Sequence, residues 1–288
     1  MKAIESILQS ATRLPPFPAV IQRVLQLVED PKSSARNVVE AIQYDQALTA
    51  NILRVCNSAY FGARRPLYSV QDALVRIGFQ QLLEIVLSYG SAFLFSRACR
   101  GYDMAEGDLW RHSVACALVS QNLAQRLQRE KTSICFTAAL LHDVGKIVLN
   151  EYVGENWTAI RKLVQEDGLS FLEAEREVLG IDHAEMGGRI SEQWQFPPTL
   201  VVGIRYHHSP GEAPADGGLV SLVYLGDVVA MMTGIGGGAD GLAYHGHTEI
   251  MRKLGLSGHD VERMVAQLQE QLRKIEILLN LVPKESAA

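Results

Sequence analysis

The sequence predicts an all-α protein, and three observations predict it. Apolar residues recur at three- and four-residue intervals along nearly the whole chain. No stretch alternates apolar and polar residues with the period of two that a half-buried strand needs. Helix-start signatures recur as well: Ser69 with Asp72, Ser170 with Glu173 and Asp182 with Glu185 have capping-box spacing or close to it.

The elements follow in order. Met1–Thr12 reads as an amphipathic helix with Glu5 inside it, and not as a signal peptide. After the Pro15-Pro16-Phe17-Pro18 turn, Val20, Val24, Leu27 and Val28 share one helical face. Val38, Val39 and Ile42 share the next, with Ser33 or Ser34 as cap, and Leu48, Ile52, Leu53 and Val55 form a third. The segment CRGYDMAEG, Cys99–Gly107, lacks periodicity and carries two glycines, so it marks a boundary. The expected organisation is an N-terminal helical unit over residues 1–100 and a second helical domain over 101–288. In the latter, Asp108–Arg129, Thr132–His142, Asn156–Glu166, Ser170–Leu179, His183–Gln195 and Leu219–Met232 read as helices. Thr233–Gly246 is a glycine-rich loop without the GxxxxGK[ST] arrangement of a phosphate cradle. The last helix, Gly258–Asn280, carries an apolar stripe that packs on its own domain or serves as a homodimer seam.

Composition narrows the class. The chain has 288 residues, 48% of them hydrophobic, which suffices for a sizeable core. Apolar stretches such as Leu219–Met232 are too short to span a bilayer, so no membrane is expected and the cytosol is the default compartment. Cys56, Cys99, Cys116 and Cys135 form no CxxC pair and read as buried, reduced thiols. The net charge of −5 argues against a broad nucleic-acid footprint. Only Arg64-Arg65 and Arg161-Lys162 could supply a local one.

The chemistry lies in the placement of histidines and aspartates. His142 and Asp143 close the apolar run FTAALLHDVGK, and Asp227 sits in SLVYLGDVVAMM with apolar neighbours on every side. A buried carboxylate without compensation costs several kcal/mol or loses its charge. Lysine and arginine are missing from that helix, whereas a metal ion would serve. His112 stands four residues after Asp108, on the same helical face. His183 opens a helix after the cap Asp182, and His207 and His208 end TLVVGIRYHH. Imidazole nitrogen with carboxylate oxygen suits zinc, iron, manganese or nickel, and a bridging aspartate suits two ions. Asn51, Arg54 and Asn57-Ser58 read as residues that cap and link helices, Tyr60, Phe61 and Tyr68 as core or interface aromatics, and His245, His247 and His259 as solvated.

The succession His112, His142-Asp143, His183, His207-His208, Asp227 resembles the signature of the HD superfamily, in its fullest form that of the HD-GYP phosphodiesterases. The resemblance implies that His112, His142, Asp143 and Asp227 hold one metal. His183, His207 and His208 hold a second, with Asp143 shared. It implies that Lys146 helps to hold a substrate phosphate, and it places Asp108 where some relatives bind a third metal. LPPFPAVIQRVLQLVEDP, YDQALTANILRVCNSAYFG and SVQDALVRIGFQQL resemble the HDOD module of bacterial signalling proteins. Together the two resemblances cover residues 14 to 232. Gln46 stands where that family usually has proline, and after His207-His208 the sequence runs SPGEAPADGG, without the ERxDGxGYP continuation that accompanies cyclic-di-GMP hydrolysis.

Two functions are therefore expected. The first is a signalling scaffold whose metal is structural or vestigial. The second is a metal-dependent phosphohydrolase acting on a nucleotide or other phosphate ester. In it the metals activate water by lowering its pKa, Asp143 bridges and orients, Lys146 neutralises phosphoryl charge, and Asp108 or another carboxylate could shuttle a proton. Partners are a phosphate-containing ligand and unidentified signalling proteins.

Overall fold

A computed structural model describes residues 2–281, apart from 13, 15–16, 59–60, 62–65, 129–131, 215–216, 236–237 and 240–246. Among the described residues every extended element is helical, as periodicity predicts, and the sole β-type pairing is the isolated bridge between Cys99 and Met104. The chain divides into two compact units, residues 17–90 with 267–288 and residues 1–16 with 91–266. The division near residue 90 differs from the boundary read at residue 100. The reason is that CRGYDMAEG is built into the larger unit: Gly101 N–H donates to Asn150 Oδ1 (2.8 Å), and Tyr102 is fully buried.

The smaller unit contains α2 (Ala19–Glu29), α3 (Ala35–Ile42), α4 (Gln46–Cys56), α5 (Val70–Ile77) and most of α6 (Phe79–Phe95). The buried face of α2 is Ile21, Val24, Leu25 and Leu27, so Val20 and Val28 lie at its edges and not at its centre. Ser34, not Ser33, starts α3, with its N–H donating to Asn37 Oδ1 (2.9 Å). In α4 the buried set includes Asn51 and Cys56, while Leu53 is half-buried. Asn57 clamps the approach to α5 through two hydrogen bonds with the Leu67 backbone (2.9 and 2.6 Å), the linking role expected of it. Tyr68 is 80% exposed and is no core residue. Tyr60 and Arg64-Arg65 lie outside the described residues.

The larger unit holds α1 (Lys2–Thr12), α7 (Asp108–Arg126), α8 (Thr132–Leu141), α9 (Gly145–Glu155), α10 (Trp157–Gln165), α11 (Phe171–Leu179), α12 (His183–Gln193), α13 (Pro198–Arg205), α14 (Gly217–Met232), α15 (His247–Lys253) and the first turns of α16 (Gly258–Leu281). Helices α7, α8 and α14 pack on one another, and α12 packs on α13 and α9. Ser170 and Asp182 cap α11 and α12 as their spacing predicts, accepting from Glu173 N (3.2 Å) and Glu185 N (2.8 Å). The run Thr132–Glu155 has the length and hydropathy of a membrane span. However, 83% of that apolar window is buried in the fold, and the turn at His142–Val144 interrupts it. Asp260 in α16 is bound by Arg126 and Arg263, which fastens the helix start to its own unit. The side chains of the later stripe, and His245 and His247, lie outside the described ones.

Two glycines set the distances on which the larger unit depends. A methyl group at Gly226 would overlap Ser120 Oγ and stand 2.8 Å from the Cys116 carbonyl oxygen, so α14 can lie this close to α7 only with glycine there. A methyl at Gly145 would strike the His183 carbonyl and stand 2.7 Å from Gly187 N, so glycine also lets the start of α9 rest on α12. Gly226→Ala is therefore expected to destabilise the protein by about 1–3 kcal/mol through overpacking, read as a lower urea midpoint at unchanged m-value. An unshifted midpoint would show that the two helices separate freely.

Candidate metal centre

Each histidine and aspartate of the expected set comes from a different place in this helical frame. His112 lies in the second turn of α7, and His142 and Asp143 form the turn between α8 and α9. His183 is the first residue of α12, His207 and His208 follow the end of α13, and Asp227 sits within α14. All seven converge. His112 Nε2 is 2.9 Å from Asp227 Oδ1 and 3.6 Å from Asp143 Oδ2. His142 Nε2 is 3.3 Å from Asp143 Oδ2 and 3.8 Å from Asp227 Oδ1. His183 Nε2 and His207 Nε2 lie 3.7 and 3.9 Å from Asp143 Oδ1, and His208 Nδ1 is 3.9 Å from Asp227 Oδ2. Asp143 thus turns one oxygen to His112 and His142 and the other to His183 and His207.

The imidazoles are aimed by their outer nitrogens. Nδ1 of His142 and of His207 each donates to a backbone carbonyl three residues earlier, Ala139 and Ile204, both at 2.6 Å. Nδ1 of His183 donates to Glu175 Oε2 (2.7 Å), and Nδ1 of His112 faces the Ile235 carbonyl at 3.3 Å. All four therefore present Nε2 inward. This is the arrangement in which an outer hydrogen bond fixes the tautomer and ring of a metal-binding histidine. Glu175 is itself held by the Tyr102 hydroxyl and accepts from His183 N (3.0 Å), while Lys146 Nζ donates to Asp143 Oδ2 (2.7 Å) and lies 5.5 Å from the Tyr102 ring centroid.

Three atoms at the middle are left without a hydrogen-bond partner: His142 Nε2, His207 Nε2 and Asp143 Oδ1. They belong to residues at most 1% exposed, and such orphaned buried atoms are costly. Three groups have ligand atoms within 4.8 Å of one another: His112, Cys116, His142 and Asp227; His142, Asp143 and His207; His183, His207 and His208. The nitrogen and carboxylate donors fit a divalent transition metal, and a cation there would satisfy the orphaned atoms.

Electrostatics point the same way. Burial alone would raise the Asp143 and Asp227 carboxyls. Facing them, His142 and Lys146 hold Asp143, and His112 and His142 hold Asp227, well below the ordinary range. Burial pulls His142 down, but Asp143 overrides it and leaves its pKa at about 9. Burial likewise opposes charging of His183, and Glu175 raises it to about 9. Burial, then the charges of His142 and His183, depress His207 to about 3, and His208 falls below its usual value for the same kind of reason. Protonated His183 donates from Nε2 to His208 Nε2 at 2.8 Å. That proton lies between two nitrogens of one candidate ligand group, His183, His207 and His208.

Two expectations need correction or addition. Asp108 stands outside these groups: its Oδ2 accepts from Ala105 N (2.8 Å), which ties down the start of α7. Cys116 and Glu175 join the cluster, although neither is expected there from the sequence. Cys116 carried a signal, since it follows His112 by four residues on one helical face. Glu175 carried none, sitting in the charged run EAERE. In metal-free protein, Glu175→Gln keeps an acceptor but removes the charge. The His183 pKa, followed by NMR of its ring protons, is expected to fall from about 9 toward or below the ordinary histidine value. An unmoved titration would deny Glu175 this role.

A curated relative, an uncharacterized protein of Treponema pallidum (strain Nichols), is 23% identical over 216 residues, 75% of this chain and 41% of the relative. The chain thus spans about two fifths of that protein's length. An HDOD domain protein of Geobacter sulfurreducens has a crystal structure similar to this fold, with TM-score 0.73, 26% identity and coverage of 97% of this chain and 96% of that one. A Shewanella amazonensis protein named as a candidate phosphohydrolase matches with TM-score 0.70, 25% identity and coverage of 96% and 98%. The family model for the HDOD domain matches residues 14–210, which takes in the HD turn and both following histidine sites but stops before Asp227. The chain belongs to the HDOD domain family.

Proposed function

We propose that this chain is a regulatory module of bacterial signal transduction in which a buried divalent-metal centre, dinuclear through Asp143, fastens the larger unit. His112, His142, Asp143 and Asp227 hold one cation, and Asp143, His183, His207 and His208 the other. The observation that carries the reading is the division of labour at Asp143: Oδ2 faces His112 and His142, and unpartnered Oδ1 faces His183 and His207. A structural role is favoured because the ligands join five separate segments and, His208 apart, are at most 1% exposed. Lys146 is 2% exposed with its ammonium on Asp143, so in this conformation it is not presented to a substrate. The four buried free cysteines fit a reducing compartment, and we place the module in the cytosol.

A second reading, hydrolysis of a phosphate ester, is favoured by Lys146 itself and by the name of the Shewanella neighbour. A divalent cation bound here would supply Lewis acidity and a better water nucleophile at neutral pH. The chain's own part would be narrower. Asp143 would keep both halves of the centre in register. Lys146 would have to leave Asp143 Oδ2 to counter charge on phosphoryl oxygens.

Metal-free protein supplied with manganese or zinc at a hundredfold excess over Kd is expected to gain about 2.7 kcal/mol, a Tm rise of roughly 4–5 °C for a chain of this size. Asp143→Ala should abolish that gain. Turnover of bis-p-nitrophenyl phosphate or a cyclic dinucleotide by the loaded protein, lost in Asp143→Ala, would decide for the hydrolase. Absence of both uptake and Tm shift would remove the metal reading altogether.

The titrations give the sign of the pH dependence. His142 and His183, at about 9, are protonated at neutral pH and must lose a proton to bind metal. Calorimetry in buffers of differing ionisation heat should therefore show proton release at pH 7, with affinity rising as pH approaches about 9. In the metal-free state the same two groups stabilise the fold below their unfolded pKa, and that stability disappears as pH rises through about 9.

A further inference from the structure

We propose that Cys116 is a thiolate ligand of the cation held by His112, His142 and Asp227, which makes this half of the centre select thiophilic ions such as zinc or cobalt(II) over manganese and magnesium. The inference rests on the metal-centre reading above and goes beyond the ligand set that the family resemblance supplies, in which no sulfur takes part.

Geometry carries it. Cys116 lies one turn beyond His112 on α7, so both side chains leave the same helical face. Its Sγ is 3.5 Å from His112 Nε2 and 3.8 Å from Asp227 Oδ1. A tetrahedral centre with ordinary zinc–sulfur and zinc–nitrogen bonds sets sulfur and nitrogen about 3.6 Å apart, so these separations are already those of ligands around one ion. The ligand atoms of His112, Cys116, His142 and Asp227 are mutually within 4.8 Å, and Asp143 is not part of that group. Asp143 Oδ2, also bound to Lys146 at 2.7 Å, remains the bridge of the reading above, and sulfur adds a further donor beside it. His142 Nε2, fully buried and without a hydrogen-bond partner, is an independent sign of a ligand at this spot. Gly226 completes the argument, because the approach of α14 to the Cys116 turn that brings Asp227 within reach of sulfur is possible only without a side chain there. On binding, the S–H bond is replaced by a sulfur–metal bond and the proton leaves to water. A soft sulfur donor favours zinc and cobalt over the harder ions.

The test is cobalt(II) titration of the metal-free full chain, followed in the visible and near ultraviolet, with Cys116→Ser alongside. Sulfur ligation gives a near-ultraviolet charge-transfer band in the wild type that is lost in the variant. Cobalt or zinc affinity should fall by more than the roughly 10–100-fold typical of residues that only support a ligand, with manganese affinity much less changed. Visible cobalt bands without the charge-transfer band, or a band identical in the variant, would overturn the assignment while leaving a nitrogen and oxygen centre in place. No cobalt uptake by the wild type would overturn both this assignment and the metal-centre reading. Should Cys116→Ser fail to fold, Cys116→Ala takes its place. The wild-type band then decides alone, because no other cysteine stands in the described ligand groups.

Discussion

Negative charge buried at the middle of the larger unit is the constraint on which the other features depend. Asp143, Asp227 and Glu175 are each at most 1% exposed, and Lys146 is the one lysine buried with them among the described residues. Three carboxylates against one ammonium leave an imbalance that a low-dielectric interior does not tolerate. Imidazolium at His142 and His183 offsets it, and in the proposed metal-bound form a divalent cation would offset it in their place. The histidines form the switchable half of a charge balance, which is why their pKa values are driven to opposite extremes within a few ångströms of one another.

The helical frame is arranged to make that balance possible. The apolar run from Thr132 is broken by a turn at the point where His142 and Asp143 have to face inward. Helix α12 begins at His183 because Asp182 caps it, and the first imidazole of that helix therefore enters the centre from its end, with its own backbone N–H on Glu175. Glycines at 145 and 226 admit backbone where any side chain would intrude, and each is adjacent or nearly adjacent to a ligand. Packing and chemistry share residues here. Loosening α7 from α14 would cost stability and ligand geometry together.

Much of this was legible in the sequence. Periodicity gave the helices of the core, and the caps Ser69, Ser170 and Asp182 lie where their spacing put them. All seven expected ligands meet in one cluster, since a polar residue isolated in an apolar run has few physical explanations. What escaped has physical reasons too. Cys116 is hard to pick out in sequence because a free cysteine is ordinarily a small apolar side chain, and its partners come from α14 and from the turn after α8, far away in sequence. Glu175 hides in a charged stretch whose neighbours face outward. Tyr68 is aromatic yet exposed, and Asp108 shares a face with His112 yet bonds to the preceding loop, because facing and contacting are different things. The segment expected to mark a boundary near residue 100 belongs to the same class: a stretch without periodicity can be held in place by tertiary hydrogen bonds.

The anchoring of His142 and His207 to the carbonyls of Ala139 and Ile204 has a consequence for how such a centre withstands mutation. Those acceptors are main-chain oxygens. Replacing the side chain at either position leaves the oxygen where it was, so the aim of both rings is written into the helical backbone and survives drift at the residues that provide it. His183, oriented by a glutamate side chain, has no such insurance. Within one cluster, some ligands are robust by construction and one is hostage to a single codon.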